Sequence, residues 1–123
     1  MVADLFADTV LDARVVSGEI GAASALKMAY AGWTKGSSAL LLAVRALARA
    51  EGVEEMLLDE WRLSLPGLEA RSRAAARSAL RKGWRWIGEM EEIAATYSAA
   101  GLPDGFHRAA AEIYRRPNAF DVS

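Results

Sequence analysis

The stretch that decides the fold covers residues 21–50, GAASALKMAYAGWTKGSSALLLAVRALARA. Large apolar side chains recur in it at intervals of roughly three and four residues, at Leu26, Tyr30, Trp33, Leu40, Leu41, Val44 and Leu47. Gly52 follows directly and is typical of a helix C-terminus. We therefore predict one long helix over this range.

Small residues repeat along the same predicted helix, at Gly21, Ala25, Gly32, Gly36, Ala39 and Ala43. A glycine inside a helix costs about 1 kcal/mol relative to alanine. The pattern therefore predicts that another backbone, from the same chain or a second subunit, approaches this face closely.

The rest of the chain also favours helices. Apolar periodicity, with glycine and proline residues between the apolar segments, predicts helices over 53–65, 68–82, 84–100 and 105–116. In the last of these we expect four buried residues, Phe106, Ala110, Ile113 and Tyr114. Residues 4–11 fit a short amphipathic helix. Arg14-Val15-Val16 fits an extended segment, which reads as the remnant of a sheet that lies elsewhere. The predicted fold class is all-α.

Composition narrows the function classes. With 53% hydrophobic and 25% charged residues, the chain should fold, and its net charge of −1 argues against a general nucleic-acid binder. It has no cysteine and one histidine, which excludes thiolate chemistry and a multi-histidine metal site within one chain. The N-terminus lacks a basic leader region, and the apolar run 39–50 is interrupted by arginine, so we expect no membrane span and a cytoplasmic location.

Two lysines of the long helix are candidate site residues. Lys27 is either a snorkelling surface lysine or a lysine in a partly dry cleft, where desolvation favours a neutral amine able to exchange protons. Lys35, eight residues on and close to Thr34, belongs either to a solvated polar patch or to a recognition site for a carboxylate substrate.

Other polar and aromatic residues allow two interpretations each. The ladder Arg73, Arg77, Arg81 and Arg85 is most simply a solvated face, with a subunit interface or an anion site as the alternatives. Trp84 and Trp86 cannot both face one core, so one should face a partner or a cleft. His107 fits a structural hydrogen bond or a proton carrier, and the carboxylates Glu89, Glu91 and Glu92 fit a solvated run or general bases.

Three segments resemble a known family. They are IGAASALKM at 20–28, WRWIGEMEEIA at 84–94 and GLPDGFH at 101–107. Together they resemble the C-terminal domain of prokaryotic 6-phosphogluconate-dehydrogenase-like oxidoreductases, within the β-hydroxyacid dehydrogenase superfamily. The resemblance implies that residues 1–18 are the remnant of the end of a missing Rossmann domain and that 19–117 form a helical substrate-binding and dimerisation domain. Pro117 closes the last predicted helix, so we expect 118–123 to be a frayed tail.

The resemblance also implies site residues. The superfamily pattern is G-x-G-x-x-x-K-x-x-N-N, and here Gly21 and Lys27 match while Ala23 replaces the second glycine. Lys27 then corresponds to the lysine that exchanges a proton with the substrate hydroxyl. Tyr30 and Ala31 replace the asparagines, so the usual substrate-holding asparagine of the superfamily is missing here. The residues we expect to bind substrate are Gly21, Ser24, Tyr30, Thr34, Lys35 and His107.

The expected function follows from that resemblance. The chain would be the substrate and dimerisation part of an NAD- or NADP-dependent oxidoreductase acting on a small hydroxy acid. It contains no G-x-G-x-x-G phosphate loop, so we expect no cofactor bound by this chain alone and no activity in isolation. We expect a homodimer, and no nucleic-acid or membrane partner. The alternative is a helical dimerisation or interaction module without chemistry.

Overall fold

The computed structural model describes residues 20–121, and these residues form a bundle of five α-helices. Helix α1 spans Ile20–Ala50, α2 Glu54–Ser64, α3 Leu68–Lys82, α4 Trp86–Ala99 and α5 Gly105–Arg115. A 3-10 turn at Gly83–Arg85 precedes α4, and a second at Pro117–Phe120 follows α5. No described residue lies in a strand, and the all-α prediction is confirmed.

The predicted helices agree with the observed ones within about one residue, except before α4. There the chain makes a 3-10 turn over Gly83–Arg85 instead of starting the helix at Trp84. The proposed helix at 4–11 and the extended segment at 14–16 lie outside the described residues.

Helix α1 is the element on which the others assemble. Its 31 residues are about 46 Å long, and helices α2 to α5 all contact it. Two glycines stop helices where the sequence predicts: Gly52 after α1 and Gly101 after α4 adopt positive φ values of 75° and 78°. The next residue in each case donates its N–H back across the last turn, Val53 to Ala48 and Leu102 to Tyr97. This is the Schellman arrangement, which favours glycine at the left-handed position.

The core has two parts. The larger lies between α1, α3, α4 and α5, and its most completely buried large side chains are Leu42, Met90, Ile93 and Tyr114. The smaller lies between α1 and α2, where Leu41 packs with Leu58 and Trp61. Phe106, predicted to be buried, is exposed, whereas Ala110, Ile113 and Tyr114 of the same helix are buried as predicted. Successive residues differ by about 100° around a helix, so burying His107 turns Phe106 outward.

A buried arginine links α1 to its neighbours. Arg45 is only 4% exposed and donates to Ser72 on α3 at 3.1 Å and to Glu54 on α2 at 2.9 Å. Arg49, one turn on, donates to both oxygens of the same carboxylate. The hydrogen bonds from Arg49 and then Arg45 hold the pKa of Glu54 below its ordinary value of 4.5. This pairing is what allows a charged guanidinium inside the bundle.

Candidate functional site

A shallow cleft lies between α1 and α4. Lys27 and Met28 of α1 line one side of it, and Glu89, Glu92 and Ile93 of α4 line the other. Its volume is about 110 Å³, whereas ligand pockets usually measure about 300–1,000 Å³. The described residues that line it therefore form an open cleft that is too small to enclose a ligand of ordinary size.

The spacing on α4 explains why two carboxylates reach this cleft. Glu89, Glu92 and Thr96 lie three and four residues apart, and such positions share one face of a helix. The Thr96 hydroxyl lies 2.8 Å from Met28 Sδ and 3.0 Å from the Glu92 carbonyl oxygen. The i,i+3,i+7 pattern is visible in the sequence, but only the packing of α4 on α1 shows that this face meets Lys27.

Lys27 is exposed, and among the described residues it makes no ion pair. Within residues 20–121 the surroundings of its side chain are open to water. The reason is geometric: the α4 face opposite Lys27 carries carboxylates and only one aliphatic side chain, Ile93.

Lys35 has a different environment from Lys27. Its Nζ lies 2.6 Å from Glu89 Oε1 and 5.7 Å from the centre of the Trp86 ring. Glu89 therefore neutralises Lys35, and the ammonium spans the space between α1 and α4. In this arrangement, a carboxylate ligand would have to compete with Glu89 for Lys35. Glu92, the other carboxylate of the cleft, has no ion-pair partner among the described residues.

Tyr114 is the residue of this network that sequence reasoning missed. Its hydroxyl donates to the Lys35 carbonyl oxygen at 2.5 Å, and its ring meets Trp86 edge-on at 5.1 Å. Burial raises the pKa of the Tyr114 phenol well above its ordinary value of 10, so the phenol stays a donor. The sequence marks Tyr114 only as a buried position, with no sign of the acceptor on α1.

His107 is buried between helices and is not one of the residues that line the cleft. Its Nε2 lies 3.0 Å from the Gly32 carbonyl oxygen, and its ring packs on Tyr97 at 4.7 Å between centres. A Cβ at Gly36 would stand 3.0 Å from that Nε2, and one at Gly32 would stand 3.2 Å away. The predicted close approach at these glycines thus exists, but it is made by an imidazole ring and not by a backbone.

The remaining predicted substrate residues are dispersed along α1. Gly21 and Ser24 are exposed near its start, and Tyr30 and Thr34 are half-buried. The Thr34 hydroxyl lies 3.4 Å from the Ala31 carbonyl oxygen. None of these four lines the cleft beside Lys27.

The basic ladder is exposed. All four arginines, Arg73, Arg77, Arg81 and Arg85, lie at the surface. Arg73 pairs with Glu69, and Arg85 lies over the Trp84 ring at 5.3 Å. Trp84 is 67% exposed while Trp86 packs against the core, which confirms that only one of the two faces inward.

The described residues contain no cluster of three or more His, Cys, Asp or Glu side chains suited to a metal ion. Within residues 20–121, no helix has the combination of length and apolar character needed to cross a membrane.

Fold and site together define an all-α domain with a charged interhelical cleft. The chain belongs to the family described as "Domain of unknown function (DUF1932)", whose match covers residues 48–116. That match includes helices α2 to α5 and ends at the turn after α5, and most of α1, with Lys27, precedes it. No curated protein and no solved structure matched the chain.

Proposed function

We propose that this chain is the C-terminal substrate-binding and dimerisation domain of an NAD(P)-dependent oxidoreductase that acts on a small hydroxy acid. The observation that carries the proposal is the family match over 48–116, because that family corresponds to the C-terminal domain of 6-phosphogluconate-dehydrogenase-like proteins. The superfamily-like segment around Gly21 and Lys27 adds support from a part of the chain that the match does not cover.

In this proposal Lys27 moves the proton. Oxidation of an alcohol to a ketone needs a base for the hydroxyl proton, and reduction needs an acid at the same place. The nicotinamide, when bound by a separate nucleotide-binding domain, accepts or supplies the hydride. The Lys27 amine, next to Glu92 in the cleft, takes the hydroxyl proton in one direction and returns it in the other.

Because Lys27 is exposed, the proposed nucleotide-binding domain must also exclude water from it. A lysine works as a base only when its neutral form is accessible, and removal of water favours that form. The cleft is too small and open to provide this by itself. In the proposed enzyme, the nucleotide-binding domain and the substrate cover the cleft and exclude water from Lys27.

The same exposure favours a second candidate, a helical interaction module without chemistry. Tyr30 and Ala31 stand where the superfamily has asparagines, and Lys35 is already paired with Glu89. A domain that had lost its substrate would keep the bundle and could keep the dimer.

The two candidates differ in what Lys27→Met does in an enzyme that joins this domain to its nucleotide-binding domain. Proton transfer by a positioned side chain is worth about 10²–10⁴-fold in rate, so kcat should fall by that factor with cofactor affinity unchanged. Arg108→Met, exposed on α5, is the matched control and should leave kcat unchanged. Near-normal turnover of the Lys27 variant would refute the assigned role.

A further inference from the structure

The outer face of α2 carries exposed apolar side chains with acids between them. Met56 is 70% exposed and Leu63 82% exposed, and Asp59 and Glu60 lie between them on the same face. Leu58 and Trp61 occupy the opposite, core-facing side of the helix. The Glu60 carboxylate has no ion-pair partner among residues 20–121.

The outer face of α3 also carries exposed apolar side chains, but the charged residues between them are basic. Arg77 and Arg81 are exposed and have no ion-pair partner in the described part of the chain. Leu80 and Trp84 are exposed beside them. The inner side of α3 consists of small buried residues that pack toward the core, Ser72, Ala75, Ala76 and Ala79.

Charge is segregated between these neighbouring helices. Residues 51–64 contain five acids and one base, Arg62, and that base is already paired with Asp59 and Glu69. Residues 68–85 contain six bases and one acid, Glu69. The whole chain has a net charge of only −1, so the α2–α3 pair carries a strong local charge separation on a nearly neutral protein.

We propose that a second copy of this chain docks on the α2–α3 surface about a twofold axis, with α2 of each copy against α3 of the other. A twofold interface brings the same patch of both copies together, and antiparallel exchange sets Asp59 and Glu60 against Arg77 and Arg81 twice. Exposed Met, Leu and Trp side chains beside arginine supply the apolar contact that stable interfaces bury.

A second copy fits this surface better than another kind of partner. A nucleic acid or an acidic peptide attracted by α3 would meet the carboxylates of α2, and a basic partner would meet the arginines of α3. Only a partner that presents basic residues to α2 and acidic residues to α3 matches both helices. A second copy does so when its α3 lies against α2 and its α2 against α3. The inference specifies the surface for the dimerisation role proposed above and rests on that role.

Charge-swapped variants of the full chain test the surface. R77E/R81E and D59R/E60R each place like charges across the interface, so each variant alone should dissociate. We expect the dissociation constant of each to rise at least about tenfold, because like charges across an interface cost several kcal/mol. A 1:1 mixture of the two should form a heterodimer, since both helix pairings then bring opposite charges together again.

The measurement is sedimentation velocity at tens of micromolar, in about 0.1 M and 1 M sodium chloride, between which the screening length falls from roughly 10 Å to 3 Å. R108E/R116E, with the same charge change on and just after α5, is the matched control and should dimerise like the wild type. Recovery in the mixture also shows that both variants are folded.

The outcomes separate this inference from the dimerisation role. A wild-type chain that stays monomeric refutes both. A wild-type dimer that persists in both swapped variants refutes the α2–α3 surface and keeps the dimerisation role. A Trp33→Ser/Leu40→Ser variant of the exposed α1 face would then identify α1 as the interface if it alone dissociates.

Discussion

Nε2 of His107 on α5 lies 3.0 Å from the carbonyl oxygen of Gly32 on α1. A carbonyl oxygen only accepts, so this nitrogen carries the proton and donates. The buried Nδ1 has no hydrogen-bond partner in the part of the chain that the structure describes. One hydrogen bond therefore links the ring to α1. The ring also packs against Tyr97 of α4 and fits into the space beside Gly32 and Gly36.

Gly36→Ala tests this contact. The added Cβ would stand 3.0 Å from Nε2, so the ring would have to shift and weaken its bond to Gly32. Overpacking costs about 1–3 kcal/mol, against about 1 kcal/mol gained from alanine in a helix, so we expect a net loss of up to about 2 kcal/mol. Chemical denaturation measures it.

Gly88→Ala is the control for that substitution. It lies in α4, and an added Cβ there meets no atom within 4 Å. It should raise the free energy of unfolding by about 0.5–1 kcal/mol, the gain from alanine over glycine in a helix. A Gly36 variant as stable as the Gly88 variant would show that the ring moves freely.

Glu54→Gln should destabilise the fold by about 3 kcal/mol at neutral pH, because it leaves the buried Arg45 charge without its carboxylate. The substitution should also make the free energy of unfolding less sensitive to acidic pH. The folded pKa of Glu54 is lowered, so its stabilisation is present above the ordinary value of 4.5 and is lost as the pH falls through the folded pKa.

Thermal unfolding of the wild type and Glu54→Gln between about pH 3 and pH 7 measures both effects, because the lowered pKa confines the loss to the acidic end. Glu55→Gln, exposed on the same helix, is the matched control and should behave like the wild type. Parallel pH profiles for the wild type and Glu54→Gln would contradict the linkage.

Tyr114→Phe should cost about 0.5–1.5 kcal/mol, the usual worth of one internal hydrogen bond. It should also flatten the alkaline limb of stability. The unfolded phenol ionises near its ordinary pKa of 10 while the buried one keeps its proton, so wild-type stability falls as the pH rises above that value. Denaturation at increasing alkaline pH, with Tyr30→Phe on α1 as the comparison, measures the difference.

The chain by itself should bind NADPH with a dissociation constant above about 100 μM, because it lacks the glycine-rich loop and helix N-terminus that hold a pyrophosphate in Rossmann domains. Isothermal titration calorimetry decides this. Micromolar binding would mean that the helical domain has a nucleotide site of its own.

The sequence alone determined the helices. Apolar periodicity and the stops at Gly52 and Gly101 define α1 and α4 locally, because capping and side-chain spacing act within a few residues. The 3-10 turn before α4 was missed, since the sequence there has no proline or other clear signal for it.

Only the tertiary structure decided which faces meet. The glycine pattern predicted a close approach to α1, but the occupant proved to be His107, 75 residues away in sequence, because long-range packing selects the partner. For the same reason Lys35 faces Glu89 and Tyr114, whereas Lys27 stays exposed at the edge of the cleft. Residue type and spacing show which groups a helix offers, and the angle at which helices pack determines which of them become buried or paired.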